Sequence, residues 1–320
     1  MKMTTLGRDG PQVSRLGLGC AGMSQMPRNE EEGVATIHAL LDAGVNLLDT
    51  ADFYGMGHNE MLIGRAIRGR RDQALLSVKC GLMLSPTHRF LGLDGRPAAI
   101  KNFVAYSLQR LGVDEIDLFQ LCRADPDVPY EESIGAIAEL IAEGKVRHLG
   151  VSEVGADLIR RAHAVHPVAA LEIEYSLACR FIEHEILPTT RELGIAVVAY
   201  RVLADGLLSG SVPESRGLFV PPRLEGGNLA ANVATCAAAL ELAREKGITP
   251  AQLAVAWLLA QGEDIIPLIG MRRPSRLAEN LAIPDIVLSP DELARLDKAF
   301  HPEAILGDRY PASVQKFAAR

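Results

Sequence analysis

Short apolar runs alternate with amphipathic helical patterns along this chain, and that alternation constrains its fold more than any other feature. The runs cover residues 16–19, 45–48, 75–78, 116–121, 146–149, 169–173, 195–199 and 265–269. Each is too short for a helix and is bounded by turn residues, as expected of a strand buried on both faces. Helical periodicity fills the intervals. Residues 31–43 carry Val34, Ile37, Leu40 and Leu41 on one face, and residues 133–143 carry Ile134, Ile137, Leu140 and Ile141 before a stop at Gly144. Eight such units in 320 residues, without a composition break, predict a single domain over residues 1–320. Its class is α/β, a closed (β/α)8 or TIM barrel. Ahead of it, the run to Leu6, the turn Gly7 to Pro11 and the return through Val13 read as an N-terminal β-hairpin. An open doubly wound sheet is the competing architecture. Gly17 to Gly22 does spell G-x-G-x-x-G, but the matching acidic residue after a second strand is absent, so tight turns at a barrel mouth are preferred.

Charge and cysteine usage narrow the function classes. The net charge of −7 repels phosphate backbones, which argues against a nucleic-acid partner. No run reaches the ~18 apolar residues of a membrane span, and the polar N-terminus does not resemble a signal peptide. Five cysteines (Cys20, Cys80, Cys122, Cys179, Cys236) are widely spaced, with no C-x-x-C pair. That usage suits a reducing cytoplasm and argues against a zinc site or a disulfide framework. His163 and His166, three apart near a helix end, read as a solvated surface pair, so no metal is expected. The expectation is a cytoplasmic protein with no membrane partner; its oligomeric state stays open.

Chemistry in such a barrel belongs at the carboxyl ends of the strands. Polar residues collect there: Asp49, Lys79, Cys122 and Arg123, Ser152 and Glu153, Glu172 and Glu174, Tyr200 and Arg201, Arg272 and Arg273. Residues 44–60 (GVNLLDTADFYGMGHNE) resemble the second-strand signature of the aldo-keto reductases, with Asp49 and Tyr54 at the family's catalytic spacing. The likeness continues through LLSVK ending at Lys79, residues 116–126, GVSE at 150–153, EYSL at 174–177, Ala199-Tyr200 and RLAEN at 276–280. It implies NADP(H)-dependent hydride transfer to a small-molecule carbonyl substrate, an aldehyde or ketone.

The resemblance also distributes roles. Tyr54 becomes the general acid, Lys79 its tuner, Asp49 the anchor of Lys79, and Cys122 lines the oxygen site. Free tyrosine has a pKa of about 10, and an ammonium a few Å away contributes about 4 kcal/mol at an effective dielectric near 20, so a lowered Tyr54 pKa is expected. The implied cofactor contacts are Gly22, Met23, Asp49, Ser152, Glu153, Glu172, Tyr200, Arg201, Leu203, Gly206, Arg272, Arg276, Glu279 and Asn280. Tyr200 stacks on the ring. Arg276 takes the 2′-phosphate, because a guanidinium grips phosphate by a fork of donors. Phe53, Phe90, Cys122 and Arg123 line the substrate pocket, with Phe219 also at the mouth; in the insert 84–97, Arg89 and Arg96 either reach an anionic substrate or, as lone surface arginines usually do, contact nothing specific.

Four positions depart from the family pattern. Cys122 stands where the family carries a hydrogen-bonding His, and a thiol is a weak donor. It is read as a small filler that enlarges the pocket, giving a slow or specialised carbonyl reductase. The alternatives are a reductase of an activated C=C bond or another biosynthetic step, or a weakly active NADP-binding regulatory subunit. Glu172 replaces a Gln, and its charge is expected to favour the oxidised ring. Arg201 replaces a Ser; either it neutralises Glu172 or the two point elsewhere. Asp205 puts a negative charge in the loop expected over the pyrophosphate.

Overall fold

The computed structural model describes residues 1–212 and 220–319. Two strands, β1 (Met3–Thr5) and β2 (Gln12–Ser14), pair antiparallel as the expected hairpin. The chain continues through β3 (Gly17–Gly19), β4 (Leu47–Ala51) and β5 (Leu75–Cys80), then a second hairpin of β6 (Leu82–Leu84) and β7 (Phe90–Leu93). It resumes with β8 (Ile116–Leu121), β9 (Val146–Ser152), β10 (Val168–Glu174), β11 (Ala196–Tyr200) and β12 (Ile265–Gly270). Strands β3, β4, β5, β8, β9, β10, β11 and β12 close in that order into a parallel barrel, β12 pairing back to β3. All eight apolar runs are therefore barrel strands. The strand read at 45–48 starts two residues later and continues to Ala51, so Asp49 lies within β4 and not after it.

Helices α1 (Glu30–Asp42), α2 (His58–Ala66), α3 (Pro97–Leu111), α4 (Tyr130–Ala142), α5 (Ala156–Val165) and α6 (Ile186–Leu193) cover the outside. They are followed by α7 (Gly226–Lys246), α8 (Pro250–Ala260), α9 (Leu277–Leu281), α10 (Pro290–Ala299) and α11 (Ala312–Gln315). Their starts have local causes. Thr249 and Ser289 form reciprocal capping boxes with Gln252 and Glu292, each ahead of a proline at the first helical position. Among the described residues no helix is long and apolar enough to cross a membrane.

Side chains two apart on a strand share a face, and this periodicity builds the barrel interior in layers. The lowest layer is apolar: Leu47, Leu75, Leu118, Ala170, Ala196 and Ile266 pack with Leu6 and Val13, so the N-terminal hairpin plugs the bottom. Burying each large side chain there is worth about 1.5–3 kcal/mol. Two residues up the same strands stand Asp49, Ser77, Gln120 and Glu172, and two further come Lys79, Cys122, Glu174 and Tyr200. Register aligns Asp49 with Ser77, Lys79 with Gln120, and Ser152 with Glu172. Residues of the opposite parity, such as Leu48, Leu76, Val78 and Phe119, pack outward against the helices. Polar groups thus meet only above the plug. Gly17 to Gly22, the ambiguous glycine motif, is strand β3 and the turn above it. A side chain on Gly17 would strike Leu268 at 2.7 Å and Leu47 at 2.9 Å.

Candidate active site

A cavity of about 660 Å³ opens over the carboxyl ends of the strands. It brings together Gly22, Asp49, Phe53, Tyr54, Lys79, Phe90, Cys122, Arg123, Ser152, Glu172, Tyr200, Arg201, Leu203, Gly206 and Asn280, all singled out from sequence. Five others lie off its lining. Met23 is buried in the outer core, Glu153 is buried behind Tyr200, and Arg272, Arg276 and Glu279 sit beyond the β12 end. Arg276 pairs with Glu279 at 2.7 Å, and Arg272 donates to the carbonyls of Gln25 and Pro27. Phe219 lies outside the described residues. Arg96 is held by Asp94 at 2.7 Å.

Lys79 is the floor of the cavity. Its Nζ donates to both oxygens of Asp49, at 2.5 Å to Oδ1, and lies 3.0 Å from Glu172 Oε1. Burial alone would discharge this amine, but Asp49, Glu172 and Tyr54 outweigh it and hold the ammonium well above the usual lysine range. Gln120 donates to Glu172 Oε2 at 2.6 Å and to Ser77 Oγ at 3.2 Å. Two carboxyl groups share one ammonium, so ionising both would leave the trio with an excess negative charge. Burial and the repulsion of Glu172 accordingly push Asp49 well above the ordinary carboxylate range, against the pull of Lys79.

The Tyr54 ring centre lies 5.5 Å from Lys79 Nζ. The expectation of an acidified phenol is corrected here. Burial raises the Tyr54 pKa, Lys79 pulls it down, and Asp49, Glu172 and Cys122 push it up again, for a net rise. Lys79 acts in the expected direction, and burial, the largest of these effects, outweighs it. The second correction concerns Arg201. It does not neutralise Glu172; its Nε is 3.3 Å from Asp205 and its Nη1 is 3.6 Å from Glu174. Arg223, almost fully buried, binds Glu174 at 2.6 Å and Asp205 at 2.9 Å. The negative charge of Asp205 in the 203–206 turn is therefore matched from two sides.

Cys122 is buried, and burial raises its thiol pKa against the opposing pull of Arg123 and Lys79, so a reactive thiolate is not favoured. The wall above it was not fully legible in the sequence. Tyr310, Val314 and Phe317, from the segment after α10, cross the mouth and line the cavity, and Phe317 meets Phe90 at 5.9 Å between ring centres. Leu82, Leu84 and Leu93 of the second hairpin complete an apolar side. Gln120 was also missed, although its parity with Leu118 in the run 116–121 places it inward. Gly150 makes room for it, since a Cβ there would come within 3.1 Å of its Oε1. Among the described residues no cluster of His, Cys, Asp and Glu could hold a metal ion.

Comparison with known proteins agrees with this arrangement. The model of the aldo/keto reductase family matches residues 15–300. A Glycine max protein named "Probable aldo-keto reductase 1" is 37% identical over 322 residues, covering 98% of this chain and 93% of that protein. The glycerol dehydrogenase AKR11B4 from Gluconobacter oxydans superposes with a TM-score of 0.82 at 32% identity, covering 93% of this chain and 94% of that one. An aldo/keto reductase from Klebsiella pneumoniae, solved with NADP and acetate, gives a TM-score of 0.75 at 30% identity over 97% and 99% of the two chains.

Proposed function

The chain belongs to the aldo/keto reductase family, and on that premise we propose that its barrel mouth reduces an aldehyde or ketone with NADPH, Tyr54 giving the proton. The observation that carries this reading is the convergence of Asp49, Lys79 and Tyr54 on one cavity, with the ammonium 5.5 Å from the phenol ring. The residues present fit the cofactor. Ser152 Oγ is buried without a hydrogen-bond partner among the described residues, and Glu172 beside it can only accept, which suits the N–H donors of a carboxamide. Ser152, Glu172 and Tyr200 would hold the nicotinamide end; Leu203, Gly206 and Asn280 lie along the cavity toward the phosphates. Arg276 would exchange its partner Glu279 for the 2′-phosphate. When bound, NADPH supplies the hydride.

The chain's own groups do the rest. Phe53, Phe90 and Phe317 exclude water from the carbonyl. Burial keeps the Tyr54 phenol protonated, so it remains a donor to the oxygen as negative charge develops there. Lys79 receives the charge left on the phenol, and Asp49 fixes the amine. Glu172 brings a second negative charge to the floor, which favours the cationic, oxidised form of the ring over the neutral one. The test follows NADPH oxidation with a panel of aldehydes, ketones, quinones and enones, in the native protein and in Tyr54→Phe. Carbonyl turnover that falls at least a hundredfold in Tyr54→Phe, with NADPH binding kept, supports the reading. Turnover that survives the substitution, or enone reduction in place of carbonyl reduction, overturns it.

A further inference from the structure

We propose that the carbonyl substrate carries a carboxylate and that Arg123 receives it, an inference that rests on the carbonyl-reductase reading above. Among the described residues three cations line the cavity: Lys79, Arg123 and Arg201. Lys79 is held by Asp49 and Glu172, and Arg201 by Asp205 and Glu174. Arg123 differs. No carboxylate of a described residue lies within 4.0 Å of it, and its hydrogen bonds go to neutral acceptors. These are the Cys122 carbonyl at 2.6 Å, Cys122 Sγ at 3.5 Å and the Tyr310 hydroxyl at 3.1 Å. A guanidinium has five N–H donors, and among the described residues Nε accounts for none of the three hydrogen bonds, so donors remain for a ligand in the cavity that Arg123 lines.

The surroundings explain why no protein anion comes to it. Tyr200 donates to Glu153 Oε1 at 2.8 Å, so the 2.5 Å contact between the Tyr310 and Tyr200 hydroxyls has Tyr310 as its donor. Glu153 in turn receives both Nη atoms of Arg309, at 3.1 and 3.0 Å. Arg123 therefore reaches that carboxylate only through two hydroxyls, and Arg309 already matches the charge. A buried guanidinium left without a counterion is costly. It becomes favourable once a ligand supplies the anion, and a carboxylate matches its planar fork.

The charge pattern also orients the substrate. On the floor, Lys79 is already matched by Asp49 and Glu172 and offers an anion no net attraction, whereas the Arg123 wall attracts one. The carbonyl end then faces Tyr54 and the carboxylate faces Arg123. A monoanion balances the single guanidinium; a phosphate dianion would add a second charge against the floor.

The experiment compares 4-carboxybenzaldehyde with its methyl ester, alike in shape but differing by one charge, with benzoate binding to the NADP-loaded protein measured by calorimetry. The native protein should prefer the acid by about ten- to hundredfold in kcat/KM, the scale of one charge-assisted hydrogen bond. Arg123→Gln should remove that preference and the benzoate heat, costing the acid at least about tenfold more in kcat/KM than the ester, and Arg123→Lys should restore part of both. Equal use of acid and ester by the native protein overturns the proposal, as does an equal loss for both in Arg123→Gln. A stronger preference for a phosphorylated aldehyde overturns the monoanion assignment. Ester turnover that depends on Tyr54 reports on the carbonyl-reductase reading separately, so the two can fail independently.

Discussion

Replacing Glu172 by Gln tests the electrostatics of the floor most directly. Lys79 Nζ lies 5.5 Å from the Tyr54 ring centre, and at an effective dielectric of about 20 one charge at that distance is worth about 3 kcal/mol to a tyrosinate. Asp49 and Glu172 both bind the same amine, and each returns part of that benefit as repulsion of the phenolate. Glu172→Gln leaves one ammonium and one carboxylate. It removes the repulsion that Glu172 contributes, on the order of 1–3 kcal/mol or about one to two pH units in the phenol's titration. In carbonyl reduction the protonated phenol is the active form, so activity is lost as pH rises through its pKa. The native basic limb of kcat/KM therefore lies above the ordinary tyrosine range, where burial puts it, and the variant's limb moves to lower pH. A neutral aldehyde at fixed ionic strength gives the profile, and ultraviolet difference titration of tyrosinate against Tyr54→Phe gives the same quantity without turnover. A limb and a titration that stay in place, or move upward, would refute the repulsion of the phenolate by Glu172.

Two further outcomes follow from neighbouring residues. Cys122→His should raise kcat/KM for small neutral aldehydes at least tenfold, because one preorganised donor to a developing oxyanion is worth about 2.7–4 kcal/mol in a hydrolase; an unchanged or lower value with NADPH affinity intact would show that the thiol's place is not the oxygen site. Burial opposes the charge of Glu153, yet Arg309 and Arg123 hold its pKa at about 2 against an ordinary 4.5, a contribution of roughly 3 kcal/mol to stability at neutral pH. A depressed carboxylate stabilises above its unfolded pKa, and the benefit is lost as pH falls from about 5 toward 2. Urea midpoints of native and Glu153→Gln protein should therefore converge as the solution is acidified, and a constant gap across that range would contradict this account.

What the sequence made legible, and what it did not, separates along a physical line. The eight strands could be read because each buries both faces, which forces short apolar runs between turns. Asp49, Lys79, Cys122 and Glu172 could be placed because strand parity alone decides which side chains face the barrel axis. Neither property reports on who pairs with whom across the mouth. Arg201 follows a strand whose neighbour carries both Glu172 and Glu174, two residues apart on one face, and only the three-dimensional path of the 203–206 turn, with Asp205 on it, sends the guanidinium to the upper carboxylate. Glu172 is thereby left to Lys79, and its charge adds to the burial that raises Tyr54. The segment after α10 escaped for a related reason. Tyr310 and Phe317 act singly, without a repeating face to announce them, yet Tyr310 connects Arg123 to the Tyr200–Glu153 chain. Local patterning thus specifies the frame and the residue types on it. The signs of the fields inside the cavity are set by contacts between segments far apart in the chain, and in this barrel those contacts match the floor's ammonium with two carboxyl groups and leave one wall positive.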